Sequence, residues 1–73
     1  MRETPTERAR FRRYALGVLH AAEFLCESHD QPTLASEMVR QLLHGQKATW
    51  LRDIARFEGV ALPRAFWSEV KKP

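Results

Sequence analysis

A chain of 73 residues with a net charge of +3, 44% apolar and 29% charged, is too well mixed for intrinsic disorder and too short for more than one core. Its single cysteine, Cys26, excludes an internal disulfide and fits a reducing, cytoplasmic setting. The longest apolar-leaning run, Tyr14 to Cys26, contains His20 and Glu23; it is too short and polar for a membrane span and lacks the cleavage site of a signal peptide.

The charge is unevenly placed. Residues 1–13 hold five arginines against two glutamates, a net +3, and residues 14–63 hold four basic and six acidic groups, a net −2. The last ten residues set Arg64, Lys71 and Lys72 against Glu69 for a net +2. Basic ends suit phosphate contact, and the solvated ends of an ordinary small protein account for them equally well.

In chain order, every periodic stretch has the helical period. The run "TPTE" at residues 4–7 is a helix start: Thr4 as N-cap, Pro5 in the first turn and Glu7 closing a capping box. The helix should reach about Glu27, with Phe11, Tyr14, Ala15, Val18, Ala22 and Leu25 on one face and Leu19 and Cys26 at its edge. "SHDQP" breaks it, with Asp30 available to cap the next helix and Pro32 tolerated in its first turn. That second helix, Pro32 to His44, places Leu34, Ala35, Met38, Val39, Leu42 and Leu43 on one arc. Ser36, Glu37, Arg40, Gln41 and His44 fill the other side, and Gly45 is suited to end the helix.

A third helix from Thr49, as N-cap, to Glu58 should bury Trp50, Ile54 and Phe57, with Leu51 and Ala55 flanking. Gly59 stops it. A fourth, from about Leu62 to Lys71, would turn Ala65, Phe66 and Val70 inward. No stretch alternates as a strand does. The expected fold is an all-α bundle of three to four helices, one domain over residues 1–73, with residues 1–4 and 72–73 as flexible ends.

The stretch "KATWLRDIARFEGVALPRAFW" has the parts of a helix-turn-helix. Ala55 is small where two helices cross, Gly59 accepts a positive φ, and Val60 is apolar just past the turn. The longer "HGQKATWLRDIARFEGVALPRAF" resembles the DNA-binding segment of TetR-type repressors, with Gly45, Ala48, Thr49, Ile54, Ala55, Gly59, Val60 and Phe66 in register. Glu58, Ala61 and Glu69 depart from that pattern. Ala61 stands where a Ser or Thr cap is usual, a difference of about 1 kcal/mol.

The resemblance implies a fourth helix lying in the major groove of duplex DNA. Arg64 is then the residue able to grip guanine, and Trp67 and Ser68 share its exposed face with Leu62. Lys47, Thr49, Lys71 and Lys72 are the expected phosphate contacts.

A different surface lies along the first helix. Leu16, His20 and Phe24 recur every four residues opposite the main apolar face, beside Arg13. Either the helix is wrapped from two sides, or these residues, with Trp67 as an exposed anchor, form a seam for self-association or a protein partner. The basic run "RARFRRY" forms no single stripe on a helical wheel.

His20, His29, His44 and Cys26 lack the paired spacing of a zinc site. Nothing supports a nucleophile with an oxyanion hole. No cofactor, metal, membrane or small-molecule substrate is expected. The expectation is a small non-enzymatic DNA-binding regulator or accessory factor. The alternative is a protein-binding inhibitor or adaptor of the compact kind that phages and mobile elements encode.

Overall fold

The structure, a computed structural model, describes residues 4–71. Four helices follow in order: α1 (Pro5–His29), α2 (Pro32–Leu42), α3 (Ala48–Glu58) and α4 (Arg64–Lys71). No strand occurs among the described residues. Arg2, Lys72 and the expected flexible ends fall outside them, except for Thr4.

The start of α1 follows directly from its sequence. Thr4 Oγ1 accepts from the Glu7 N–H at 3.1 Å, the Glu7 carboxylate accepts from the Thr4 N–H at 3.4 Å, and Pro5 opens the helix. These bonds satisfy groups that a helix end otherwise leaves open. At about 1.5 Å per residue, 25 residues make α1 as long as the molecule's longest dimension, 38 Å. It is the rail on which α2 and α3 lie, while α4 packs against α2.

Two expected caps are placed differently. Asp30 does not cap α2 but closes α1 in the left-handed conformation, φ 52°, which a short polar side chain tolerates better than most. Gln31 precedes α2 without a side-chain cap bond, and Pro32 occupies its first turn. Likewise Lys47, not Thr49, takes the N-cap position of α3, with Thr49 already inside the helix. At the other end, Gly59 takes φ 75°. The Val60 N–H reaches the Ala55 carbonyl at 2.8 Å and the Gly59 N–H reaches that of Arg56 at 3.4 Å. This is a Schellman closure, which needs the left-handed residue that glycine supplies without steric cost.

α2 packs chiefly on α1 and α4, and α3 leans on α1. Ala15 and Ala22 of α1 and Ala35 and Ser36 of α2 are all fully buried. Side chains this small let helix backbones approach closely. Ser36, expected on the polar side, is acceptable inside because its hydroxyl donates to the Thr33 carbonyl at 2.7 Å. Turning Ser36 inward leaves Leu34 and Leu42, expected in the core, half in solvent. Leu19, expected at the edge of the α1 face, lies at its centre, and Tyr14 is exposed.

The core joins these α1 and α2 residues to Val18, Leu19, Val39, Leu43, Leu51, Ile54, Ala55, Val60, Phe66 and Trp67. Three placements in the last helices reverse the expectation: Phe57, Ala65 and Trp67. Phe57 is 80% exposed, its ring 5.4 Å from the Arg12 guanidinium. Ala65 also faces solvent, because α4 turns Phe66, Trp67 and Val70 inward. Large aromatic area buries more favourably than one methyl group, and that sets the rotation of so short a helix.

Two substitutions separate these roles. Phe66→Ala should lower unfolding free energy by about 3–5 kcal/mol. Phe57→Ala should cost less than about 1 kcal/mol, the size of an exposed cation–π contact. Urea denaturation of both variants checks this, and equal losses would contradict the placement of the rings.

Candidate nucleic-acid interface

The surface around the α3–α4 connection is assembled from three segments distant in sequence. α3 ends at Glu58 and α4 begins at Arg64, so residues 59–63 form the turn. The Phe66 and Trp67 N–H groups both reach the Pro63 carbonyl, at 3.1 and 3.3 Å. Pro63 therefore stands at the head of α4, and Ala61 is not at a capping position. Its N–H has another partner: the Glu23 carboxylate of α1 accepts it at 2.6 Å. The other Glu23 oxygen lies 3.9 Å from His20 Nδ1. Three residues earlier, the Glu58 carboxylate accepts from the Arg12 guanidinium at 3.3 Å. Two carboxylates thus tie the start and the middle of the turn to α1.

Trp67 is the largest correction to the expected site. It is 7% exposed and cannot serve as an exposed anchor for DNA or for a protein partner. Its ring meets Phe66 edge-on, with centroids 4.8 Å apart, and the Arg52 guanidinium lies 5.8 Å from its centroid. Arg52 and Arg56, one helical turn apart on α3, line a shallow cleft with Ala55, Val60, Ala61, Leu62 and Trp67.

On α4, Arg64 lies three residues before Trp67 and Lys71 four after. Arg64, Ser68 and Lys71 are exposed. Arg52, Arg56, Arg64 and Lys71 are the exposed cations of the α3–α4 band, with Asp53 and Glu58 on α3 and Glu69 on α4 among them. The i, i+4 spacing of Arg52 and Arg56 was visible in the sequence. That Arg52 covers a tryptophan of α4 was not.

The remaining expected phosphate contacts separate. Thr49 is exposed in the first turn of α3. Lys47 lies at a different cleft, with Arg8, Phe11, Gly45, Gln46 and Trp50. Lys72 lies outside the described residues.

The first-helix seam is also divided. Leu16 is half-buried and packs against the core, whereas Arg13 and His20 are exposed. Phe24 is 58% exposed, with the His29 ring edge-on at 5.1 Å. Cys26 is half-buried; burial pushes its thiol pKa up, and Asp30 and Glu27 push it further. That is the opposite of the perturbation that activates a cysteine nucleophile. Among the described residues, no three His, Cys, Asp or Glu side chains gather as a metal site requires, and no helix is long and apolar enough to cross a membrane.

The chain matches no known family model, no curated protein and no solved structure. Its chemistry is therefore read from its own surfaces.

The tether between α1 and the turn is testable alone. Glu23→Ala should speed amide hydrogen exchange at Ala61 and cost up to about 1.5 kcal/mol of stability, the low end for a hydrogen bond to a charged group. Glu23→Gln, which keeps an acceptor, should retain part of the protection. Unchanged exchange at Ala61 in both variants would show that the carboxylate does not hold the turn.

Proposed function

We propose that the chain is a small, non-enzymatic, cytoplasmic protein that binds duplex DNA through the α3–α4 face as a regulator or accessory factor. The observation that carries this reading is the Arg52 guanidinium over the buried Trp67 ring, in a cleft that Arg56 also lines, with Arg64 and Lys71 exposed on α4. Phosphates favour such a band because each neutralised phosphate releases condensed counterions. Arg64 is the candidate base reader, since a guanidinium can donate twice to one guanine edge. Ser68 and Thr49 can add single hydrogen bonds to the backbone. The resemblance of residues 45–66 to repressor helix-turn-helix segments supports the same choice.

Trp67 has a structural part in this reading. A ring fixed in the core holds Arg52 from below, so less side-chain freedom is lost when that guanidinium meets a phosphate. The Glu23 and Glu58 tethers hold the turn at a fixed position along α1.

A second reading is favoured by one observation, the 58% exposure of Phe24 beside His20. It has α1 carry a protein partner instead, with Trp67 no longer among the contacts.

Duplex binding measured across a salt series decides between them. Four cations on phosphates predict a slope of log K against log salt near −3.6. Arg52→Glu with Arg56→Glu should reduce its magnitude by about 2. Arg64→Ala should cost about 1–3 kcal/mol on a preferred sequence and less on random DNA. A flat salt dependence would sink the DNA reading, and loss of a captured partner on Phe24→Asp would favour the second.

A further inference from the structure

The cleft at Trp67 has a ligand chemistry of its own, beyond its place in the duplex reading. Its volume is about 220 Å³, and Arg52 and Arg56 line it together with Val60, Leu62 and Trp67. This is below the range of about 300–1,000 Å³ usual for small-molecule sites. The space suits one small group and not a whole nucleotide.

Both cations come from α3, one helical turn apart, and both residues are exposed. Among the described residues, neither Arg52 nor Arg56 forms an ion pair. The Glu58 carboxylate is bonded to Arg12. None of Asp53, Glu58 and Glu69 is among the described residues that line the cleft. The walls between the two arginines are apolar: Val60 and Trp67 are buried, and Leu62 is half-buried. A charge pair formed against such walls is stronger than one in open water. The Arg52 guanidinium lies 5.8 Å from the Trp67 ring centroid. A guanidinium over a ring keeps its N–H edge available to an acceptor.

The donor set selects among anions. Two guanidinium forks offer more N–H groups than a single carboxylate can accept. A phosphate group has oxygens for both forks, and arginine–phosphate pairs are commonly bidentate. Charge narrows the choice further. A phosphate monoester carries roughly −1.5 to −2 at neutral pH and matches two cations; a backbone diester carries a single negative charge. We propose that this cleft seats one phosphate dianion, inorganic phosphate or a monoester, between Arg52 and Arg56, and holds it more tightly than a diester. Free phosphate then competes with duplex DNA for the α3–α4 face. The competition rests on the duplex reading. The seat itself does not, because neither Arg64 nor Lys71 lines the cleft.

The test follows the Arg52 and Arg56 side-chain Nε–H and the Trp67 indole N–H NMR shifts of the full chain at fixed ionic strength and about pH 7.5, where a monoester is mostly dianionic. The titrants are inorganic phosphate, methyl phosphate as a monoester and dimethyl phosphate as a diester. The first two should move all three signals and saturate at about 1–10 mM, and the diester should bind roughly tenfold more weakly. Tighter binding of methyl phosphate than of inorganic phosphate would identify an ester as the ligand; the reverse order would identify the free ion. Arg52→Gln and Arg56→Gln should each weaken phosphate roughly tenfold, and Arg64→Gln should leave it unchanged. Arg56→Gln keeps the contact of Arg52 with Trp67, so its loss of binding does not come from a disturbed core. The proposal is overturned if phosphate at about 20 mM moves none of the signals, if the diester binds as tightly as the monoester, or if Arg64→Gln weakens phosphate as much as Arg56→Gln does. Duplex binding in the same buffers keeps the two readings apart. Phosphate binding without duplex binding would leave the seat and remove the competition, and duplex binding without phosphate binding would leave only the duplex reading. Where both bind, phosphate should weaken the duplex at fixed ionic strength, and independent binding of the two would overturn the shared face.

Discussion

The hydrogen bond from the Ala61 N–H to the Glu23 carboxylate, 2.6 Å long and 38 residues apart in sequence, fixes where the second half of the molecule sits. A turn of five residues between two short helices has little to orient it. α4 is only eight residues long and would not hold a helix alone in water. With Glu58 tied to Arg12 just before the turn and Ala61 tied to Glu23 at its middle, the first half of the turn lies along α1, and Val60 between them enters the core. From there α4 can reach α2 and bury Phe66.

The surroundings of α3 follow from that placement. α3 runs between α1 and the turn, so its two sides look in different directions. One side carries Arg52 and Arg56 to the cleft at Trp67. The other carries Trp50 toward Phe11, with Phe57 beside Arg12. Aromatic and cationic residues are thus paired on both sides, through Arg52 on Trp67 and Arg12 on Phe57. Such pairs keep a guanidinium ordered while most of it remains in water.

The parts of the fold that were legible in the sequence are those decided within one turn of helix. The capping box at Thr4 and Glu7, Pro5 and Pro32 in first turns, and the left-handed Gly59 each depend on residues within about four positions of one another. Four helices and the absence of strands likewise follow from hydrophobic period. Boundaries were less secure where two neighbouring residues could serve the same end. Asp30 could cap α2 or close α1, and Thr49 could cap α3 or lie within it, and in both cases the chain took the second course.

Which face of each helix turned inward was a tertiary decision. Phe57 and Trp67 are both large aromatics near an edge of an amphipathic arc, and periodicity cannot rank them. Only the position of α1 beneath the turn leaves Phe57 in solvent, and only the contact of α4 with α2 draws Trp67 under Arg52. Ser36 entered the core for a similar reason: helix packing needed a small residue there, and its hydroxyl could bond back to its own helix. By itself the sequence determined the helices, their caps and the basic character of the chain, because those depend on near neighbours and on charge. The pairing of Arg52 with Trp67 and of Phe11 with Trp50 was decided only by tertiary structure, since each joins residues whose spatial relation depends on where the turn is tethered.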